Sequence, residues 1–381
     1  MPWKVHSPMS LRDQFVSLAS LDDANVSLLC RRFGISRKTG YKWLARRRQG
    51  EPDAALADRS RRPARSPTRT PDAMEQQVIA LRMQHPAWGA RKLKRRLEDR
   101  DVCCVPARST VNDILHRHGL IDPAESAKHA PLRRFERAAP NELWQMDFKG
   151  PVATTRGPCY PLTVTDDHSR YNIVLKACDN QRTDTVRAAL IDAMRLHGMP
   201  ASILSDNGPP FGGFRQAGYF TELGVWLIRH GVHVIHGRPL HPQTQGKEER
   251  FHRTLDIEVI AARVFTGVPH CQQEFDHWRP IYNNERPHEA LGLEVPAKRY
   301  RPSLRSFPEA PPLVEYEAHD VVRKVCRAGK VSFRGLARLI GGAFAGQRVA
   351  MRTTAVDGKI DVFYCHQRVA EIDLRVQSGD R

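Results

Sequence analysis

No run of about 18 apolar residues occurs in the 381-residue chain, so no membrane-spanning helix is expected. The opening residues, Met1-Pro2-Trp3-Lys4-Val5-His6, lack the apolar stretch of a secretory signal. Cysteine is scattered. The eight residues at 30, 103, 104, 159, 178, 271, 326 and 365 form no Cys-x-x-Cys pair, and no disulfide framework is expected at this size. Acidic side chains are in deficit, 42 against 60 lysines and arginines, for a formal net charge of +18. Hydrophobic residues make up 40% of the chain, which excludes global disorder. The length suits roughly two to four domains. Together these features point to a reduced, cytoplasmic protein that meets a polyanion and no membrane.

The positive excess is uneven. Residues 1–120 carry 24 basic and 12 acidic side chains, while residues 121–381 carry 36 and 30. Segment 31–71 alone holds 13 basic residues against 3 acidic ones. Charge this dense releases condensed counterions when laid on phosphates, which gives affinity without reading base sequence. A solvated surface with a basic linker is the bland alternative, and the clustering favours nucleic acid.

Residues 1–50 read as a helix-turn-helix domain. Ser10 can cap a helix through Leu18, and a second begins near Asp22 or Asp23 and runs to Phe33. Gly34-Ile35-Ser36 breaks the pattern, and Ser36 can cap a third helix through Tyr41, Trp43 and Leu44. The last helix of such a unit enters the major groove, which makes Arg37, Lys38, Thr39 and Lys42 its reaching side chains. A three-helix bundle without base contacts is the alternative. Residues 51–71 form a basic, proline-rich linker in which Arg59, Arg61 and Arg62 are candidates to track phosphates. Residues 72–120 read as a second helix-turn-helix or winged-helix domain, with Arg91 and Lys92 as DNA candidates at the start of its second helix. A dimerising or spacer role is the weaker reading.

A charged linker covers 121–139. The pattern then changes to strands at 143–148, 162–165 and 171–177, a helix at 183–197, strands at 201–204 and 232–235, and a long helix at 245–262. This alternation predicts an α/β domain over 140–302. Prolines between 308 and 312 mark a boundary. Short β-like runs with turns at Gly341-Gly342 and Asp357-Gly358 predict a small β-barrel over 313–381. The whole is expected to be multidomain: all-α modules, an α/β core and a barrel.

Three acids stand where strand or helix ends would present them. Asp147 lies inside the apolar strand Leu143-Trp144-Gln145-Met146-Asp147-Phe148, where a carboxylate is costly unless paired or metal-bound. Asp206 closes the strand Ile203-Leu204-Ser205-Asp206 and precedes Asn207-Gly208, which also suits a plain turn. Glu249 lies in the first turns of the long helix and, alone, could be an ordinary solvated residue.

Trp144-x-x-Asp147, Ser205-Asp206-Asn207-Gly208 and His241-Pro242-Gln243-Thr244-Gln245-Gly246-Lys247-x-Glu249-Arg250-Phe251 resemble the three catalytic segments of DDE insertion-sequence transposases, relatives of retroviral integrases. Tyr282-Asn283-Asn284-Glu285-Arg286-Pro287-His288 is similar to the segment that closes their core. The resemblance covers about residues 140–300. It implies an RNase H-like core with a metal-binding triad at Asp147, Asp206 and Glu249, and two Mg²⁺ (or Mn²⁺) ions per site. Asp147 would bridge both ions. The implied reaction is hydrolysis at the element end, then attack of the freed 3′-hydroxyl on target DNA, two phosphoryl transfers at one site. The implied partners are double-stranded DNA, as element ends (terminal inverted repeats) and target, and further copies of the chain, at least a dimer on DNA. Lys247, Arg250 and Arg253 are candidate DNA contacts, and the location is nucleoid-associated.

Rival readings remain at this level. Glu248 neighbours Glu249 but is turned by about 100° on a helix. Asp166 and Asp167 lie near a strand end and suit a hairpin with Ser169 and Arg170. His233, His236 and His241 match no zinc spacing. The family commonly carries Lys or Arg seven residues after the catalytic Glu. Here that residue is Asp256, on the same helix face, and Arg253 could substitute. Residues 209–218 lengthen the second spacing and are expected to form a mobile loop. At the level of function, the rivals are a DNA-binding regulator or domesticated remnant with a dead core, and a nuclease that cuts without joining.

Overall fold

The computed structural model describes residues 8–49, 56–58, 69–121, 136–206, 208, 210–212, 220–236, 246–261 and 263–375. Arg59, Arg61, Arg62, His241 and most of the 209–218 segment lie outside them. Contacts divide the chain into Met1–Arg69 and Thr70–Arg381.

The first unit holds α1 (Pro8–Ala19), α2 (Val26–Arg32) and α3 (Arg37–Gln49). Asn25, not Asp22 or Asp23, caps α2 by accepting from the Leu28 amide at 3.1 Å. Ser36 accepts from the Thr39 amide at 3.1 Å and so caps α3 as its sequence suggests. Phe15, Val16, Cys30, Trp43 and Leu44 are buried together. Gly40 sits on α3 where a Cβ would lie 2.6 Å from Cys30 Sγ and 2.9 Å from Phe15. Only glycine lets α3 lie this close to its neighbours.

The second unit opens with α4 (Asp72–Gln84), α5 (Ala90–Asp99) and α6 (Arg108–Arg117), packed on Val78, Leu81, Trp88, Leu93, Val111 and Ile114. Among the described residues of 72–120 there is no strand, so this is a three-helix unit without a wing. Ile281 of the core packs against it.

The core is a five-stranded mixed sheet in the order β3-β2-β1-β4-β5. The strands are β1 (Trp144–Phe148), β2 (Tyr160–Asp166), β3 (Asn172–Cys178), β4 (Ser202–Ser205) and β5 (His233–His236). β1, β2 and β3 pair antiparallel, whereas β4 lies parallel to β1 and β5 to β4. Alternation along each strand divides the side chains between two faces. Trp144, Met146, Leu162 and Val164 join the apolar cluster of α7 (Thr183–His197) and α8 (Glu222–Arg229). The other face packs on α9 (Gly246–Leu255) and α10 (Val268–Asn284) through Leu175, Phe251, Leu255, Phe275 and Tyr282. The expected single helix over 245–262 is instead α9 followed by a π-helical turn, Asp256–Ile260.

The C-terminal region does not close into the expected barrel. Its strands are β6 (Val321–Lys324), β7 (Lys330–Phe333), β8 (Leu336–Leu339), β9 (Arg348–Thr353), β10 (Lys359–Tyr364) and β11 (Gln367–Asp373). They form an open sheet, β11-β10-β9-β6, and a separate hairpin, β7-β8. Gly329, at φ +71°, touches the Gly341–Gly342 backbone so closely that a Cβ would sit 2.6 Å from it. The region shares its apolar cluster with α8 and β5. Gln367 both accepts from the Val234 amide and donates to its carbonyl, each at 2.9 Å, and so covers the edge strand of the core sheet.

Candidate active site

Strand alternation turns Gln145 and Asp147 of β1 towards α9, and register sets Asp147 opposite Thr163 of β2. Met146 pairs with Ser205 on the parallel neighbour β4, so the residues that follow, Asp147 and Asp206, stand side by side at the strand ends. The Asp147 carboxyl feels that of Asp206. Burial, then the charge of Asp206, raises the Asp147 pKa to about 7. Burial also raises that of Asp206, tempered by the Gly208 amide that donates to its Oδ1 at 3.1 Å. Among the described residues, the basic group in ion-pair range of Asp147 is the His252 ring, with Nδ1 3.9 Å from Oδ2. Burial, then the Lys149 charge, lowers the His252 pKa to about 4, so the ring is neutral and does not compensate the acids.

The third acid divides between neighbours. Glu248 is 1% exposed and packs inward, accepting from Thr163 Oγ1 at 2.8 Å. Burial, with the Asp147 charge adding, raises its pKa to about 8 against the hydrogen bond from Thr163. Glu249 is exposed and, among the described residues, makes no hydrogen bond or ion pair. Asp147 and Asp206 are thus brought together, and the acid that closes on Asp147 is Glu248, contrary to the expectation that it turns away. Among the described residues no three His, Cys, Asp or Glu side chains form a metal-holding group.

The candidate DNA contacts also divide. Arg37, Lys38 and Lys42 are exposed on α3, while Thr39 is half-buried and bonds Ser36 Oγ at 2.9 Å. Arg91, Arg250 and Arg253 are exposed. Lys92 is instead turned onto the core beside Arg286, Glu258 and Glu289, and burial lowers its pKa to about 8. Lys247 is drawn onto the buried carboxylate of Asp167, so it faces the protein rather than solvent. His252, Thr163 and Lys149 were not singled out by sequence. His252 lies one helical turn past Glu249 and Lys149 two strand positions past Asp147, a periodicity that could have found both. Thr163 had no signal, because its place depends on strand pairing.

Residues 320–380 match the C-terminal domain of IS481-family transposases. Residues 137–242 and 230–296 match integrase core domains, and residues 39–115 a homeodomain-like domain. An uncharacterized protein of insertion element IS476 from Xanthomonas euvesicatoria is 27% identical over 258 residues, 64% of this chain and 69% of that protein. The chain is an insertion-sequence transposase with an integrase-type core. An uncharacterized protein of insertion element IS407 from Burkholderia multivorans is 27% identical to the transposase over 173 residues, 45% of this chain and 60% of the relative. The Gag-Pol polyprotein of avian reticuloendotheliosis virus is 28% identical over 134 residues, 35% of this chain and 11% of that one. Among solved structures, a chain of the simian T-cell lymphotropic virus intasome in complex with PP2A regulatory subunit B56 gamma aligns at 16% identity and a TM-score of 0.37, over 77% of this chain and 99% of that one. The integrase core carries the transposase into a polynucleotidyl transferase family.

Proposed function

We propose that this transposase binds the terminal inverted repeats of its element through its N-terminal helical modules, cuts DNA at Asp147 and Asp206, and joins the freed end to a target. The single observation that carries the reading is the pair itself. Two aspartates stand at the ends of adjacent parallel strands, the charge of Asp206 adds to burial in raising the Asp147 pKa, and among the described residues the basic group in ion-pair range of Asp147 is the neutral His252 ring. Hard carboxylate oxygens crowded in this way fit a divalent cation such as Mg²⁺ or Mn²⁺. Asp147 and Asp206 would hold it, with Glu249 as the third ligand. Bound there, the metal supplies Lewis acidity at the phosphoryl group and at the attacking oxygen.

The choice of Glu249 rests on access. A carboxyl sealed from solvent, with a pKa near 8, is protonated at neutral pH and unreachable by a DNA phosphate, which describes Glu248. Glu249 lies on the open side of the same turn, in register with the family pattern. Thr163 and His252 brace the floor beneath Asp147, with His252 Nε2 and Thr163 Oγ1 2.8 Å apart. Two element ends must be handled together, so the working form is at least a dimer on DNA, with the six-stranded C-terminal region free to contact DNA or a second copy.

The test is metal-dependent cleavage and joining on a duplex carrying the element's own end. Asp147→Asn, Asp206→Asn and Glu249→Gln each abolish both products while duplex binding persists. Full cutting by any one removes that residue from the site. Cutting without joining on a pre-cleaved end would make the chain a nuclease.

A further inference from the structure

Seven residues after Glu249, where a basic residue would reach DNA, the transposase has Asp256. The structure pairs that acid with a cation from another element. Lys149 Nζ lies 2.9 Å from Asp256 Oδ1. Lys149 follows Asp147 by two residues, just past the end of β1, where its amide donates to the Pro161 carbonyl at 2.9 Å. Its side chain is 14% exposed and that of Asp256 44%, so the stem is packed and the charged contact lies at the surface. Lys149 is close enough to His252 to lower its pKa. Its ammonium therefore lies along the edge of α9 and its π-helical continuation that carries Glu249, His252 and Asp256.

The acid is held firmly. Asp256 opens the π-helical turn, whose Ala261 amide donates back to the Asp256 carbonyl at 2.7 Å. Two residues on, Glu258 accepts from Trp278 Nε1 at 2.9 Å and from Arg286 Nε at 2.8 Å, which fixes the turn to the core. π-turns of this kind are costly and recur at functional sites.

We propose that Lys149 is the cation that grips the DNA backbone beside the cut, transferred from the helix to the strand, and that Asp256 holds its ammonium in place until a phosphate displaces the carboxylate. The exchange swaps one ion pair for another. Lys149 contributes attraction, and Asp256 subtracts from it by competing and by repelling the phosphate. The two members of the pair therefore act on binding with opposite sign. A pair that only clamped the π-turn to β1 would act with the same sign. The inference rests on the reading of this face as the DNA-cutting site, but it is tested by binding alone.

The experiment uses the full chain, a fluorescent duplex carrying one end of the element, no divalent metal, and a series of salt concentrations. Lys149→Met lowers affinity about 5–10-fold and reduces the slope of log affinity against log salt by about 0.9, the release due to one phosphate contact. Asp256→Asn raises affinity about 3-fold. Asp256→Lys in the Lys149→Met background recovers both affinity and slope, because the cation has returned to the helix. Equal weakening by Lys149→Met and Asp256→Asn, with an unchanged slope, overturns the proposal. If Lys149→Met melts too low to assay, Lys149→Arg keeps the slope and Asp256→Asn still decides the sign. Binding shifts seen in a chain that never cuts would sink the catalytic reading and leave this one standing. Their absence in a chain that cuts would do the reverse.

Discussion

Two pairs of aspartates lie near the ends of neighbouring strands of one sheet, and they are treated in opposite ways. At the β2–β3 hairpin, Asp166 accepts from the Asn141 amide at 2.7 Å and from Ser169 N and Oγ at 2.8 and 2.6 Å. Asp167 accepts from Gln145 Nε2 at 2.6 Å and the Arg137 amide at 2.8 Å, and holds Lys247 as well. Both are buried and richly bonded, as a folded protein requires of such groups. At the β1–β4 ends, Asp147 and Asp206 face each other with a neutral histidine for company. A satisfied acid is part of the scaffold. An acid left in conflict with its neighbour is what the proposed metal site calls for.

Substitutions test that contrast most strongly at catalysis. On the proposed reading, Asp147→Asn or Asp206→Asn lowers cleavage by more than about 100-fold, because each would remove a metal ligand. The melting temperature holds or rises, because a repulsion is relieved; a fall of several degrees in both would place the pair in the scaffold. At the hairpin the effects invert. Asp167→Ala strands the inward-facing Lys247 and costs about 3 kcal/mol of stability, read by denaturant unfolding. Activity then falls only as far as the folded fraction does.

Smaller effects sharpen the same comparison. Lys92→Met removes a cation whose pKa burial has lowered to about 8, and stabilises the fold at pH 7 by roughly 1–3 kcal/mol. In the parent chain the unfolded state binds the extra proton between about pH 8 and the ordinary lysine value. Stability therefore rises with pH across that window, and the methionine variant loses the rise. Asp147 behaves in the opposite sense. Its folded pKa of about 7 exceeds the ordinary carboxylate value, so the metal-free folded state binds the extra proton. Its contribution is fully present below pH 4 or so, and is lost as pH climbs to about 7. Thermal melts should show the decline, and Asp147→Asn should flatten it. Least affected is Glu248→Gln, which keeps the packing of a side chain already neutral near pH 7. Its cleavage stays within about 3-fold of the parent, and a collapse to the level of Glu249→Gln would move the third ligand to Glu248.

Much of this was legible in the chain. Ser36 and Gly34 announced the turn into α3, and strand patterns around 143–148 and 201–204 located Asp147 and Asp206, because short-range capping and alternation need only neighbouring residues. Other features were not legible. Glu248 and Glu249 are chemically alike and adjacent, and which one turns inward depends on how α9 rolls against β2. The C-terminal strands were visible one by one, yet period-2 patterns do not say whether a sheet closes. Lys92 and Lys247 counted as free cations in the sequence until the fold set Glu258, Glu289 and Asp167 against them.

Composition and spacing by themselves determined that this is a basic, multidomain chain with three candidate acids at ordered places. These are local properties, set by charge density and by the period of helix and strand. Only the tertiary structure decided which acids confront one another, which lysines are spent internally, and that Lys149 stands where Asp256 seemed to forbid a cation. Those outcomes depend on pairing register and helix rotation, which arise from contacts between residues far apart in the chain.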